Sequence, residues 1–279
     1  MRVLYATDGS PGAAKAAALL EALADRSAAE VTVLTVAGAS RSGSSLRPRA
    51  EEIAELAADS LHGAGFSTTA QVAEGRAAHV ITQHARDHDV VVLGSRSLGW
   101  SARRLLGSVG THVLHSSSRS VLIVHEAPAV PMRVIVAVDG SADARWAVEA
   151  AAQLLDPERC EVSVLAVAEL LAPVLHPPYV AHAMSAPEGR EEEVTAPARE
   201  AAQEAVEQLR AAGFRTEQHV VMGHPLRRLL AEAEEAGAAL VVVGSRGLNP
   251  LDRVVLGSVS DQLTRNGPAT LVGRRRSVD

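Results

Sequence analysis

The sequence predicts an α/β protein of two tandem domains, each built on a parallel, doubly wound sheet, and three observations carry that prediction. Short Val-rich segments alternate with helix-like segments along the chain, the pattern of a parallel sheet covered on both faces. The run Met1–Ser10 (MRVLYATDGS) returns 131 residues later as Met132–Ser141 (MRVIVAVDGS). A glycine loop, Gly94-Ser95-Arg96-Ser97, nine residues, then Gly107-Ser108, returns 150 residues later as Gly244-Ser245-Arg246-Gly247, nine residues, then Gly257-Ser258. Such duplication divides 279 residues into two halves of ordinary domain size, with expected bounds 1–127 and 131–279.

In the first half the expected strands are Val3–Thr7, Val31–Val36, Ser67–Val72, Val90–Leu93 and Val121–Val124, with helical composition over Pro11–Asp25 and Arg49–His62. Glu126-Ala127-Pro128-Ala129-Val130-Pro131 reads as a linker, since two prolines in six residues continue neither a helix nor a central strand. The second half repeats the strands at Val134–Val138, Val162–Val167, Thr216–Val221, Leu240–Val243 and Thr270–Val272. The two offsets differ by 19 residues, and most of that excess falls in a stretch expected to be irregular, from about Leu171 to Pro197. Glu191-Glu192-Glu193 reads as a solvated helix start. The last strand of each half is short and apolar and would be an exposed edge, so these strands are expected to pair the two domains with each other or with another chain, as in a homodimer.

Composition is that of a globular protein, 47% hydrophobic and 22% charged, and a net charge of −6 gives no footprint for nucleic acid. Only six residues are aromatic, so the core falls to Val, Leu, Ile and Ala. The 26 arginines stand beside one lysine, Lys15, a skew consistent with codon bias, so single arginines carry little weight. With only that lysine and no Gly-x4-Gly-Lys-Ser/Thr, a P-loop enzyme is excluded. One cysteine, Cys160, excludes an internal disulfide and fits a reducing compartment. No charged-apolar leader and no run of 18 apolar residues occurs, so a cytoplasmic protein without a membrane partner is expected.

In a doubly wound sheet a ligand sits beyond the carboxyl ends of the strands, where their order reverses. Asp8 and Asp139 follow the first strand of each half, and Gly94 and Gly244 end the fourth. With strand order 3-2-1-4-5, aspartate and glycine loop meet in one crevice. Glycines let backbone N–H groups approach a phosphate, and Ser108 or Ser258 adds a hydroxyl at a helix start. The aspartates suit a ribose hydroxyl, an adenine amine or Mg²⁺. The competing structural reading is that the glycines make tight turns and the aspartates cap the next helices.

These residues resemble the universal stress protein family, whose adenine-nucleotide-binding members carry Gly-x2-Gly-x9-Gly-Ser/Thr after the fourth strand and an aspartate after the first. The resemblance covers nearly the whole chain. It implies tandem flavodoxin-like (HUP-type) domains, ATP as ligand with or without Mg²⁺, and domain pairing through the last strands. In the second half the implied contacts are Asp139, Gly244, Gly247, Gly257 and Ser258, with Val138, Val243 and Val259 beside them and Val167 where backbone meets adenine. In the first half they are Thr7, Asp8, Val36, Leu93, Gly94, Gly107, Ser108 and Val109, with Ser97 in place of the second glycine. Gly247 is expected to take positive φ; serine there costs about 1 kcal/mol or more, which predicts weaker ATP binding by the first half.

Other side chains point elsewhere. His84 and His88 have zinc-like spacing with His79 nearby, but no third well-placed ligand supports them, and a solvated helix face is expected; His112 and His115 are similar. Arg103 and Arg253 occupy equivalent loop positions that could touch phosphate but read more readily as surface residues, and Trp100 reads as an exposed contact or a lid. No catalytic residue and no metal ligand can be named. A non-enzymatic ATP-binding stress regulator therefore leads, with a slow ATPase or adenylate-transferring enzyme, or a scaffold with degenerate sites, as alternatives.

Overall fold

The computed structural model describes residues 1–38, 46–95, 106–126, 132–169, 190–248 and 256–275. The first half runs β1 (Arg2–Ala6), α1 (Pro11–Leu23), β2 (Glu30–Ala37), α2 (Arg47–Gly63), β3 (Ser67–Glu74), α3 (Ala77–His84), β4 (Val90–Gly94), α4 (Ser108–Ser116) and β5 (Ser120–Val124). The second runs β6 (Met132–Val138), α5 (Ala142–Leu154), β7 (Cys160–Ala168), α6 (Arg190–Ala211), β8 (Thr216–Met222), α7 (Pro225–Ala236), β9 (Leu240–Gly244), α8 (Ser258–Asn266) and β10 (Ala269–Gly273). Among the described residues no helix is long and apolar enough to cross a membrane.

The strands form one sheet in the order β3-β2-β1-β4-β5-β10-β9-β6-β7-β8, so each half has the 3-2-1-4-5 order. Neighbours within each half are parallel, and only β5 with β10 is antiparallel. Alternation along the strands sorts side chains to two layers. Val3 and Tyr5 of β1 belong to the layer that also holds buried residues of α1, α2, α5 and α6, while Leu4 and Ala6 belong to the layer of α3, α4, α7 and α8. Helices thus cover both faces. Both layers run unbroken from one half into the other.

Equivalent residues meet at the junction. Leu122 of β5 pairs with Leu271 of β10; within their own halves these leucines face Val92 and Val242, which are 150 residues apart. Ala24 and Leu155, 131 residues apart, form a second antiparallel bridge where α1 and α5 end. It is flanked by reciprocal bonds, Asp25 N–H to the Leu154 carbonyl at 2.9 Å and Asp156 N–H to the Leu23 carbonyl at 2.8 Å. A pseudo-twofold axis therefore relates the halves, and the last strands pair within the chain.

Two expectations need adjusting. Helix α6 begins at Arg190, so the segment expected to be irregular up to Pro197 is helical over its last residues. Pro197 lies inside that helix on its exposed side, where solvent serves the carbonyl that loses its donor, and Glu192 and Glu193 are exposed as a solvated helix start requires. His84 and His88 do not share a solvated face: their Nδ1 atoms lie 2.9 Å from the Val80 carbonyl and 2.7 Å from the His84 carbonyl, and His88 is buried. These rings serve the carbonyls at the end of α3. Linker residues 127–131 and residues 170–189 lie outside the described residues.

Leu122 and Leu271 are both fully buried, so Leu271→Ala is expected to cost about 2–5 kcal/mol. Urea denaturation should show that loss in a single transition; two separate transitions would mean the halves unfold independently. Cys160 is buried with its thiol directed at the Leu23 carbonyl, and burial pushes that thiol up to about 11. Alkylation at pH 8 should therefore be slow in the native protein and fast after denaturation, because the thiolate is the reactive form.

Candidate functional site

In the second half the carboxyl ends of β6, β7 and β9 and the start of α8 enclose a cavity of about 320 Å³. Its lining includes Val138, Asp139, Val167, Val243, Gly244, Gly247, Gly257, Ser258 and Val259, all of the positions that the sequence singled out in this half. Leu165, Glu169, Pro225, Leu229 and Arg246 complete much of the wall and were not anticipated. A larger hollow of about 1420 Å³, bordered by Arg133, Glu161, Arg215 and Glu217, lies toward the amino ends of β6 to β8, away from the repeated motif.

Four of the loop glycines have a steric reason of their own. A Cβ on Gly244 would lie 2.7 Å from the Ala144 nitrogen, and one on Gly94 would lie 2.1 Å from the Gly12 carbonyl oxygen. These two positions let the start of α5 or α1 press against the end of a strand. A Cβ on Gly247 would lie 2.8 Å from Asp139 Oδ2, and one on Gly257 would lie 3.3 Å from the Ser245 carbonyl oxygen. Gly247 does not take positive φ, so the expected strain argument fails: crowding against Asp139 is what a side chain meets there. Ser97, with Arg96, Trp100 and Arg103, lies outside the described residues, as does Arg253.

Asp8 and Asp139 are not the helix caps that the structural reading gave them. Ser10 and Ser141 cap α1 and α5, accepting from the N–H groups of Ala13 and Ala144. Each aspartate instead closes the preceding turn, with Oδ1 accepting the N–H of Ser10 or Ser141 at 3.0 Å. Asp139 also reaches the glycine loop, its Oδ2 accepting the Leu248 N–H at 3.2 Å. Beneath the loop, buried Asp143 accepts from the Ser245 hydroxyl and from Arg246 Nε at 3.2 Å. The two loop ends are joined, since the Gly257 N–H donates to the Ser245 carbonyl at 2.7 Å and the Ser260 hydroxyl donates to it at 3.1 Å. This Asp143 network could have been found by aligning the halves, because Gly12 holds the equivalent place in the first.

Helix α8 starts at the cavity with Gly257 as its N-cap and Ser258 exposed at its first position. The N–H groups of a first helical turn lack intrahelical partners and carry the positive end of the dipole. The site can therefore hold an anion by backbone and a polar hydroxyl-bearing group by Asp139, between apolar walls. Among the described residues no group of three or more His, Cys, Asp or Glu side chains is placed to hold a metal ion. In the first half Thr7, Asp8, Val36, Leu93 and Gly94 lie at or just beyond the ends of the adjacent strands β2, β1 and β4. Gly107, Ser108 and Val109 open α4 there as their counterparts open α8.

The profile of the universal stress protein family matches residues 1–125 and again 132–272. The chain belongs to the universal stress protein family. A universal stress protein of Mycolicibacterium smegmatis is 29% identical over 206 residues, 72% of this chain and 67% of that protein. Universal stress protein YxiE of Bacillus subtilis is 29% identical over 137 residues, 48% of this chain and 91% of that one. The crystal structure of a universal stress protein from Archaeoglobus fulgidus shares the fold, with a TM-score of 0.68 and 24% identity over 98% of both chains.

The unequal obstacles at the two glycines predict unequal costs. Gly244→Ala meets backbone at 2.7 Å and is expected to destabilise by about 1–3 kcal/mol. Gly247→Ala meets one carboxylate oxygen that can turn aside, and should cost less. Urea midpoints of the two variants check this; equal shifts would contradict it.

Proposed function

We propose that this universal stress protein binds ATP without catalysing a reaction on it, and acts as a nucleotide-dependent regulator in the stress response. The supporting observation is the convergence of the nine expected residues on one cavity of about 320 Å³. The N–H groups at the start of α8 and the Ser258 hydroxyl suit phosphate. Asp139 keeps acceptor capacity for a ribose hydroxyl, because each carboxylate oxygen has a second lone-pair direction beyond the N–H it already accepts. Val138, Val167 and Val243 supply apolar surface for adenine. The two N–H bonds that Asp139 accepts stabilise its charged form and make it a weak general base, which favours binding over turnover.

In this reading residues 1–127 and 131–279 are two nucleotide-binding domains of one cytoplasmic chain. The first binds more weakly. Its Ser97 stands where Gly247 lies beside Asp139 Oδ2, 2.8 Å from the Cβ position, and a side chain there turns aside the carboxylate that a ribose would use. The last strands are used internally, so a homodimer would need another surface.

Gly257→Glu places a longer, negatively charged side chain where the cavity wall is already tight, and is expected to abolish measurable ATP heat from the second crevice. Calorimetry of the full chain, with circular dichroism to show retained fold, decides it; unchanged affinity would defeat the assignment. Mass spectrometry of nucleotide released from purified protein separates the classes. Intact ATP supports a binder, and ADP or AMP accumulating over many turnovers supports an enzyme.

A further inference from the structure

Each half follows its last strand with a basic residue that crosses the pseudo-twofold axis. His125, after β5, is 3% exposed, with Nε2 2.8 Å from the Thr264 carbonyl oxygen in α8 and Nδ1 2.8 Å from Ser95 Oγ. A carbonyl only accepts, so Nε2 carries a proton and donates to Thr264, while Nδ1 bonds the Ser95 hydroxyl. Thr264 has no helical alternative. Its carbonyl would take the N–H four residues on, and that residue is Pro268, which has none. Arg274, after β10, is the reciprocal: its guanidinium donates to the Leu114 and Ser117 carbonyls where α4 ends. Burial pulls Arg274 down to about 10, with nearby Asp143 opposing, so it stays charged at neutral pH.

Both capped helices begin at the Gly-Ser ends of the glycine loops, Gly107-Ser108 for α4 and Gly257-Ser258 for α8. A nine-residue helix is stiff and roughly 13 Å long, so its phosphate-facing start is placed by what holds its end. A proton donor at that end also reinforces the dipole on which anion binding depends.

We propose that His125, a residue of the first half, is a positioning residue for the second crevice: it anchors α8 by the Thr264 carbonyl and, through Ser95, ties that helix to the glycine loop of the first crevice. Arg274 likewise anchors α4 by the Leu114 and Ser117 carbonyls. Neither crevice is then complete within its own half, and a shift at Ser95 in the first glycine loop is carried to α8 of the second half. The ligand part of this inference rests on the adenine-nucleotide reading above.

The test uses the full chain with two probes, ATP and adenosine. His125→Leu is expected to weaken ATP binding about tenfold, the scale of a charged or polar group at a helix end, and to leave adenosine binding within twofold, because α8 serves the phosphates. His125→Gln keeps an N–H donor within reach of Thr264 and should recover most of the loss. Ser95→Ala, which removes only the hydroxyl orienting the ring, is the milder second variant and should lose ATP affinity in the same direction. ATP affinity unchanged in His125→Leu, or equal losses for ATP and adenosine, would overturn the proposal. Amide exchange across α8 in the nucleotide-free chain gives a reading independent of ligand. It should quicken in His125→Leu and recover in His125→Gln, and unchanged exchange overturns the positioning role whether or not ATP binds. If α8 responds while the unaltered chain takes up no ATP, the nucleotide reading alone falls.

Discussion

Strands β5 and β10 each leave one side without a partner inside their own half, and their antiparallel pairing removes both edges at once. An unpaired apolar edge is costly in water and open to association, so this contact turns two doubly wound sheets into one sheet of ten strands. The hydrophobic layers on both faces close over the same seam, and the α1 and α5 ends meet in a second bridge on the axis. With equivalent leucines at its centre, the seam has the self-complementary form of a twofold interface, here made within one chain. It also brings His125 and Arg274 within reach of the opposite half.

The crevice depends on a second constraint, the close approach of a helix start to a strand end. Gly244 and Gly94 permit that approach, and the serine cap after each aspartate directs the helix over the sheet. Once α5 is seated, Asp143 lies beneath the loop and holds Ser245 and Arg246, while Asp139 holds the Leu248 N–H from above. The loop ends are thereby drawn together before any ligand arrives. Preorganisation of this kind spares binding the entropy of ordering backbone donors. The first half lacks the Asp143 carboxylate and orients Ser95 through His125 instead, so the duplicated crevices are supported by different chemistry.

Much of this was legible from residue order. The duplication at offsets of 131 and 150, the Val-rich strands and the placement of aspartate and glycine after particular strands were enough to expect two parallel doubly wound sheets, and the resemblance to the universal stress protein family added the contact residues that the cavity of the second half collects. The glycine loop was right in place and wrong in cause. Positive φ is a property of backbone torsions that sequence does not display, and Gly247 proved to be needed by a neighbouring carboxylate contributed from another strand end. His84 and His88 show the same limit, since spacing marks them as neighbours but not that helix-end carbonyls take their ring nitrogens.

What the sequence by itself determined is therefore the repeated unit: which segments become strands and helices, their succession along the chain, and the motif at the strand ends, because these follow from local composition and from spacing within one unit. The tertiary structure alone decided how the copies face each other, that β5 and β10 pair internally, and that Asp139, Asp143, His125 and Arg274 act on loops and helices distant in the chain. Those contacts join residues about 100 or more positions apart, and only the packing of helices onto one continuous sheet brings such positions within hydrogen-bond distance.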